Sequence, residues 1–146
     1  MEISNASSSK VLHSKFPGQY ESLAPIAAFV RVVAVEAGLD DFSVYSVETA
    51  VDEGCSNIIE HAYKRVENGI IEITCIIEPG QLIVELNDNG KPFNPSRVPR
   101  PGLDVPLGKR KDNGLGLFFI YRLMDEVTFS FDKNTGNTLT LKKKLV

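Results

Sequence analysis

Two periods run through the apolar positions of this chain, one suited to strands and one to helices. Residues 10–16 carry a short strand pattern that closes at Pro17-Gly18. From about 20 to 37 the spacing is helical, through Leu23, Ile26, Ala27, Val30, Val33, Ala34 and Ala37. Pro25 falls in the first turns, where a missing N–H is tolerated, and Gly38 ends the helix. Asp40 or Asp41 then caps a second helix reaching about residue 64. Its buried stripe is Val44, Val47, Val51, Cys55, Ile58, Ile59 and Ala62.

Asn68-Gly69 signals a turn, and 70–77 and 82–86 read as a hairpin joined at Pro79-Gly80. Residues 88–113 hold five prolines and few apolar positions. Such a stretch exceeds an ordinary connection and suits a lid or binding loop. A third helix, about 115–125, is apolar almost all round and is expected to be buried. Strands at about 127–132 and 137–145 close the chain around Asn134-Thr135-Gly136-Asn137. This order predicts an α/β (α+β) fold, a two-layer sandwich with helices on one face of a mixed, mostly antiparallel sheet. Residues 1–9 read as a loose polar tail and 10–146 as a single domain.

The remaining bulk properties narrow the choice of partner. A formal net charge of −3 and a pI near 5.4 disfavour direct nucleic-acid binding. No apolar run approaches the roughly 20 residues needed to span a bilayer. Cys55 and Cys75 lie within apolar patterns and lack metal-ligand spacing, so both read as core thiols in a reducing cytoplasm. Lys142-Lys143-Lys144 reads as solvated charge protecting an edge strand.

Three motifs could carry chemistry. Glu53, Asn57 and His61 recur at four-residue steps and share one helix face, drifting by about 80° in all. A carboxylate there can serve as a general base, and an amide oxygen is a hard ligand suited to Mg2+. The same residues would also make an ordinary solvated face. Asn87-Asp88-Asn89-Gly90 follows a strand. Asp88 could accept a hydrogen bond from an exocyclic amine such as adenine's, with Gly90 admitting the base closely, or the motif is a plain Asn-Gly turn. Asp112-Asn113-Gly114-Leu115-Gly116-Leu117 opens the apolar helix, where free N–H groups can meet phosphate, or Gly116 simply permits close packing. Lys109, Arg110 and Lys111 concentrate positive charge just before it.

Taken in order, these motifs resemble the ATP-binding domain shared by gyrase, Hsp90, histidine kinases and MutL, the GHKL superfamily with the Bergerat ATP-binding fold. They are most similar to its bacterial anti-sigma-factor serine/threonine kinase branch. Glu53-x-x-x-Asn57-x-x-x-His61-Ala62-Tyr63 resembles the first box of that branch, and Asp88-Asn89-Gly90-Lys91-Pro92-Phe93 the second. Gly114-Leu115-Gly116-Leu117 resembles the third, and Gly136-Asn137-Thr138-Leu139 the closing strand. The likeness covers about 10–145, with Asn113 standing where a further glycine is frequent.

The resemblance implies ATP and Mg2+ as cofactors, with Glu53 as the base that activates a partner's serine hydroxyl and Asn57 as the Mg2+ ligand. Asp88 and Gly90 would recognise adenine, with Phe93 beside the nucleotide or anchoring its loop in the core. Gly114, Leu115, Gly116 and Leu117 would bind phosphates, Thr138 would add a contact near the base, and Arg110 would stabilise the transferred phosphoryl group. His61 would support the fold. The implied protein is a cytoplasmic, homodimer-forming anti-sigma factor that phosphorylates an anti-anti-sigma partner and sequesters a sigma factor. A nucleotide-sensing switch module without phosphoryl transfer is the alternative.

Overall fold

A computed structural model describes residues 9–63, 69–91 and 120–146. Strand β1 (Lys10–Pro17) leads through a 3-10 turn at Tyr20–Ser22 into helix α1 (Leu23–Glu36), followed by helix α2 (Asp41–Asn57). A π-helical segment, Ile58–Ala62, extends α2. The sheet continues with β2 (Ile70–Glu78), β3 (Gln81–Asp88), β4 (Glu126–Asp132) and β5 (Gly136–Lys144). Residues 120–123 are helical; Ile120 and, just after them, Met124 are buried, whereas Leu123 is half-buried and Arg122 exposed, so this described end is not buried all round. The rest of that helix and the proline-rich loop lie outside the described residues.

The five strands form one sheet in the order β1-β2-β3-β5-β4, and each neighbouring pair is antiparallel. Register sets its two faces apart. Ile73, Leu86 and Leu139 stand opposite one another across β2, β3 and β5, as do Cys75, Val84 and Leu141. All six are buried, so this is the face that receives the helices. Helix α1 contributes Ile26, Val30, Val33 and Ala34, and α2 contributes Val44, Val47, Ala50, Val51 and Cys55.

Local chemistry fixes where the helices begin and how they pair. Asp40 caps α2, its Oδ1 accepting from the Ser43 N–H at 2.8 Å. That bond holds the Asp40 carboxyl below the usual carboxylate range. Between the helices Gly38 turns the chain with φ +91°, and Arg31 of α1 bonds Glu48 of α2 at 2.7 Å. Gly54 then lets α2 descend onto the sheet, since a Cβ there would stand 2.7 Å from Leu86 Cδ1 and 3.2 Å from Leu139 Cδ2.

The lysine run does not protect an edge. Strand β5 lies between β3 and β4, leaving β1 and β4 at the edges. Lys143 Nζ donates to the Leu123 carbonyl at 2.6 Å, and the Lys144 N–H donates to Asp125 at 2.7 Å. These contacts tie the end of the third helix to the sheet.

Candidate nucleotide site

Helix α2 presents Glu53 and Asn57 one turn apart, just where Gly54 brings it against the sheet. Glu53 is half-buried, whereas Asn57 is only 5% exposed. The Asn57 Nδ2 is buried with no hydrogen-bond partner among the described residues. Leaving a polar atom in that state costs about 1–3 kcal/mol, a cost that no partner among the described residues offsets. The two ends of a carboxamide have the same shape. The Asn57 Oδ1 is a hard oxygen of the kind that would fit Mg2+.

Beyond Asn57 the backbone widens to i→i+5 bonds, with the Tyr63 N–H donating to the Ile58 carbonyl at 2.9 Å. His61 lies within this π segment, where the four-residue spacing of an α-helix no longer applies. The segment frees the Ala62 carbonyl to accept the Lys91 N–H at 3.0 Å. Tyr63 adds a second tie. Its hydroxyl donates to the Ile70 carbonyl at 2.6 Å and accepts the Asn89 N–H at 2.9 Å. Gly18 and Gly69 make room for its ring, because a Cβ at either would come within 2.6 Å of a ring carbon. The end of the long helix therefore holds the turn after β3.

That turn carries Asp88, which is 3% exposed. Its Oδ1 accepts the Gly90 N–H at 2.9 Å and the Asn137 Nδ2 at 2.9 Å. Burial pushes the carboxyl above its ordinary range, while both hydrogen bonds pull the other way. A dry, doubly anchored acceptor of this kind suits an amine-bearing ligand. Burial raises the Cys55 thiol on α2, and the negative charges of Asp52 and Asp88 raise it further.

Residues 16–143 match the family model described as the histidine kinase-like ATPase domain. The chain belongs to that family. It is 31% identical to "Serine-protein kinase RsbW" of Bacillus mycoides, covering 90% of this chain and 83% of that protein. It is 30% identical to "Anti-sigma F factor" of Clostridium botulinum, covering 86% and 87%. Among solved structures, the RsbU and RsbW domains of a Mycobacterium tuberculosis protein superpose with a TM-score of 0.66 at 20% identity. This likeness covers 93% of the present chain but spans only 32% of that one. A histidine kinase domain from Erythrobacter litoralis gives a TM-score of 0.54 at 17% identity, covering 89% and 62%. Both superpositions speak for the fold.

Within this histidine kinase-like domain, the residues expected from sequence divide into three groups. Glu53 and Asn57 stand on the helix whose end is bonded to the Asp88-Gly90 turn. Gly90 is in that turn, but the contact requiring glycine is with protein, since a Cβ there would stand 2.5 Å from the Ala62 carbonyl oxygen. Thr138, expected near the base, is on the opposite face of the sheet. Its Oγ1 lies 3.0 Å from Asn87 Nδ2, and it lines an outer groove of about 380 Å³ with Glu72, Thr74 and Glu85. Strand residues alternate faces, so Asp88 and its register partner Asn137 share the helix side while Asn87 and Thr138 share the other. Asn137 was legible by that same parity, which it shares with buried Leu139 and Leu141. Phe93, Arg110, Gly114, Leu115, Gly116 and Leu117 lie outside the described residues.

Proposed function

We propose that this protein is a Mg-ATP-dependent serine/threonine protein kinase that phosphorylates an anti-anti-sigma partner and sequesters a sigma factor. One observation carries the reading: the buried Asp88 turn is bonded directly to the end of the helix that bears Glu53 and Asn57. The printed names of the relatives, a serine-protein kinase and an anti-sigma factor, support the choice of reaction and partners.

In this reading Asp88 accepts the exocyclic amine of adenine, and Asn57 holds Mg2+ through its amide oxygen. The ion, when bound, offsets phosphate charge. Gly114, Leu115, Gly116 and Leu117 would meet the phosphates through backbone N–H groups, with Arg110 near the transferred group and Phe93 beside the nucleotide. Glu53 takes the proton of the partner's serine as its oxygen bonds to the γ-phosphorus and the bond to the ADP oxygen breaks. Partial exposure of Glu53 suits a base that must reach a group on another protein.

The test is phosphoryl transfer from labelled ATP to an anti-anti-sigma protein. Glu53→Gln should slow transfer by about a hundredfold or more, the usual scale of general-base catalysis, while ATP still binds. Unchanged transfer by that variant defeats the kinase assignment. Tight Mg-ATP binding with no phosphoserine formed by the unaltered protein favours the nucleotide-sensing switch instead.

A further inference from the structure

Asn137 lies at the second residue of β5, pinned from both sides. Its carbonyl accepts from Asn87 Nδ2 at 3.0 Å, and the Asn87 amide also reaches the Thr135 carbonyl at 2.9 Å. Its own Nδ2 donates to Asp88 Oδ1 at 2.9 Å and to the Lys91 carbonyl at 3.1 Å. The side chain is only 3% exposed, so these partners are reached without competition from bulk water. Gly136 makes the approach possible. It adopts φ +85°, and a Cβ there would overlap the Asp88 carbonyl oxygen.

The consequence concerns the two oxygens of Asp88. The Gly90 N–H and the Asn137 Nδ2 both converge on Oδ1. Among the described residues no donor reaches Oδ2. A carboxylate held by two donors on one oxygen cannot rotate freely, and it presents the other as a fixed acceptor. An exocyclic amine at purine C6 satisfies that acceptor. A C6 carbonyl, as in guanine, would face it with a second acceptor.

We propose that Asn137 is a positioning residue that fixes the Asp88 carboxylate with Oδ2 toward the base, and thereby sets selectivity for 6-aminopurine nucleotides. The inference rests on the reading of Asp88 as the base-recognition residue and deepens it. The sequence resemblance implied a contact near the base from Thr138 and no role for Asn137.

The test compares three nucleotides on the full chain: Mg-ATP, Mg-GTP and the Mg complex of purine riboside triphosphate, which lacks the 6-amino group. Calorimetric Kd values are measured for the unaltered protein, Asn137→Ala and Asp88→Asn. Loss of Asn137 should weaken ATP about tenfold or more, the scale of one hydrogen bond to a charged group, and leave purine riboside triphosphate unchanged. The preference for ATP over GTP should narrow by a similar factor. Equal weakening of all three nucleotides, or no weakening, overturns the positioning role. If Asp88→Asn binds ATP as the unaltered protein does, the base-recognition reading itself fails, whatever Asn137→Ala shows. Should Asn137→Ala not give a cooperative melt, Asn137→Ser is read by the same ratios.

Discussion

At the scale of single residues, a carboxylate kept out of water is stable only while its neighbours compensate. Asp88 carries a raised pKa whose largest cause is burial, partly offset by Asn137 and Gly90. A group whose folded pKa exceeds its unfolded value contributes stability that is present below the unfolded pKa, near 4 for Asp, and lost as pH rises through the folded one. At neutral pH its ionised form therefore weighs against folding. Asp88→Asn keeps an oxygen for both donors and removes the charge. Its Tm should exceed that of the unaltered protein at pH 7, with the difference vanishing as pH falls below about 4, while ATP binding is lost. A variant less stable than the unaltered protein at pH 7 contradicts this balance.

Asn57 makes the complementary case, an amide whose buried nitrogen has no partner. Removing an unsatisfied polar group offsets part of the packing lost, so Asn57→Ala should cost less than about 1 kcal/mol by urea unfolding without nucleotide. The same variant should fail to gain stability from Mg-ATP. A cost above that bound would mean that the amide serves the fold.

Among the elements, the closing strand and the helix end decide the site. Parity along β5 puts Asn137 with Asp88 and Thr138 with Asn87. Thr138→Val should leave the Kd for ATP within about twofold, because packing changes on a solvated sheet face are small. A tenfold loss would move Thr138 back beside the nucleotide. Gly136→Ala forces a Cβ into a left-handed conformation and against the Asp88 carbonyl oxygen, so destabilisation by at least about 2 kcal/mol is expected in chemical denaturation. Tyr63→Phe removes a hydroxyl that both donates to Ile70 and accepts from Asn89. It should lower stability by about 1–2 kcal/mol and weaken ATP through the loosened turn, as paired unfolding and binding measurements would reveal.

For the whole molecule, the topology joins distant pieces of sequence. β5 enters between β3 and β4, so residues about fifty apart meet at Asp88 and Asn137. A ligand bound by that junction stabilises only the assembled state, and Mg-ATP at a hundred times its Kd should add about 2.7 kcal/mol to unfolding. The absence of any Tm shift with saturating Mg-ATP would remove the nucleotide site altogether. Among the described residues no helix is long and apolar enough to cross a membrane.

Hydrophobic period alone determined the strands and the first two helices, because each must bury one face and its spacing is fixed by backbone geometry. The second helix's stripe from Val44 to Ala62 is buried as that period requires. Local chemistry likewise narrowed the cap to Asp40 or Asp41, of which Asp40 serves, and marked the glycine turns at Gly38, Gly80 and Gly136. Tertiary structure alone decided the rest. The π turns after Asn57, the tie from Tyr63 to Asn89 and the interior place of β5 depend on partners remote in the chain. So does the pairing of Asn137 with Asp88 and of Thr138 with Asn87. A strand's period tells which residues share a face, but only pairing with another strand tells what that face meets.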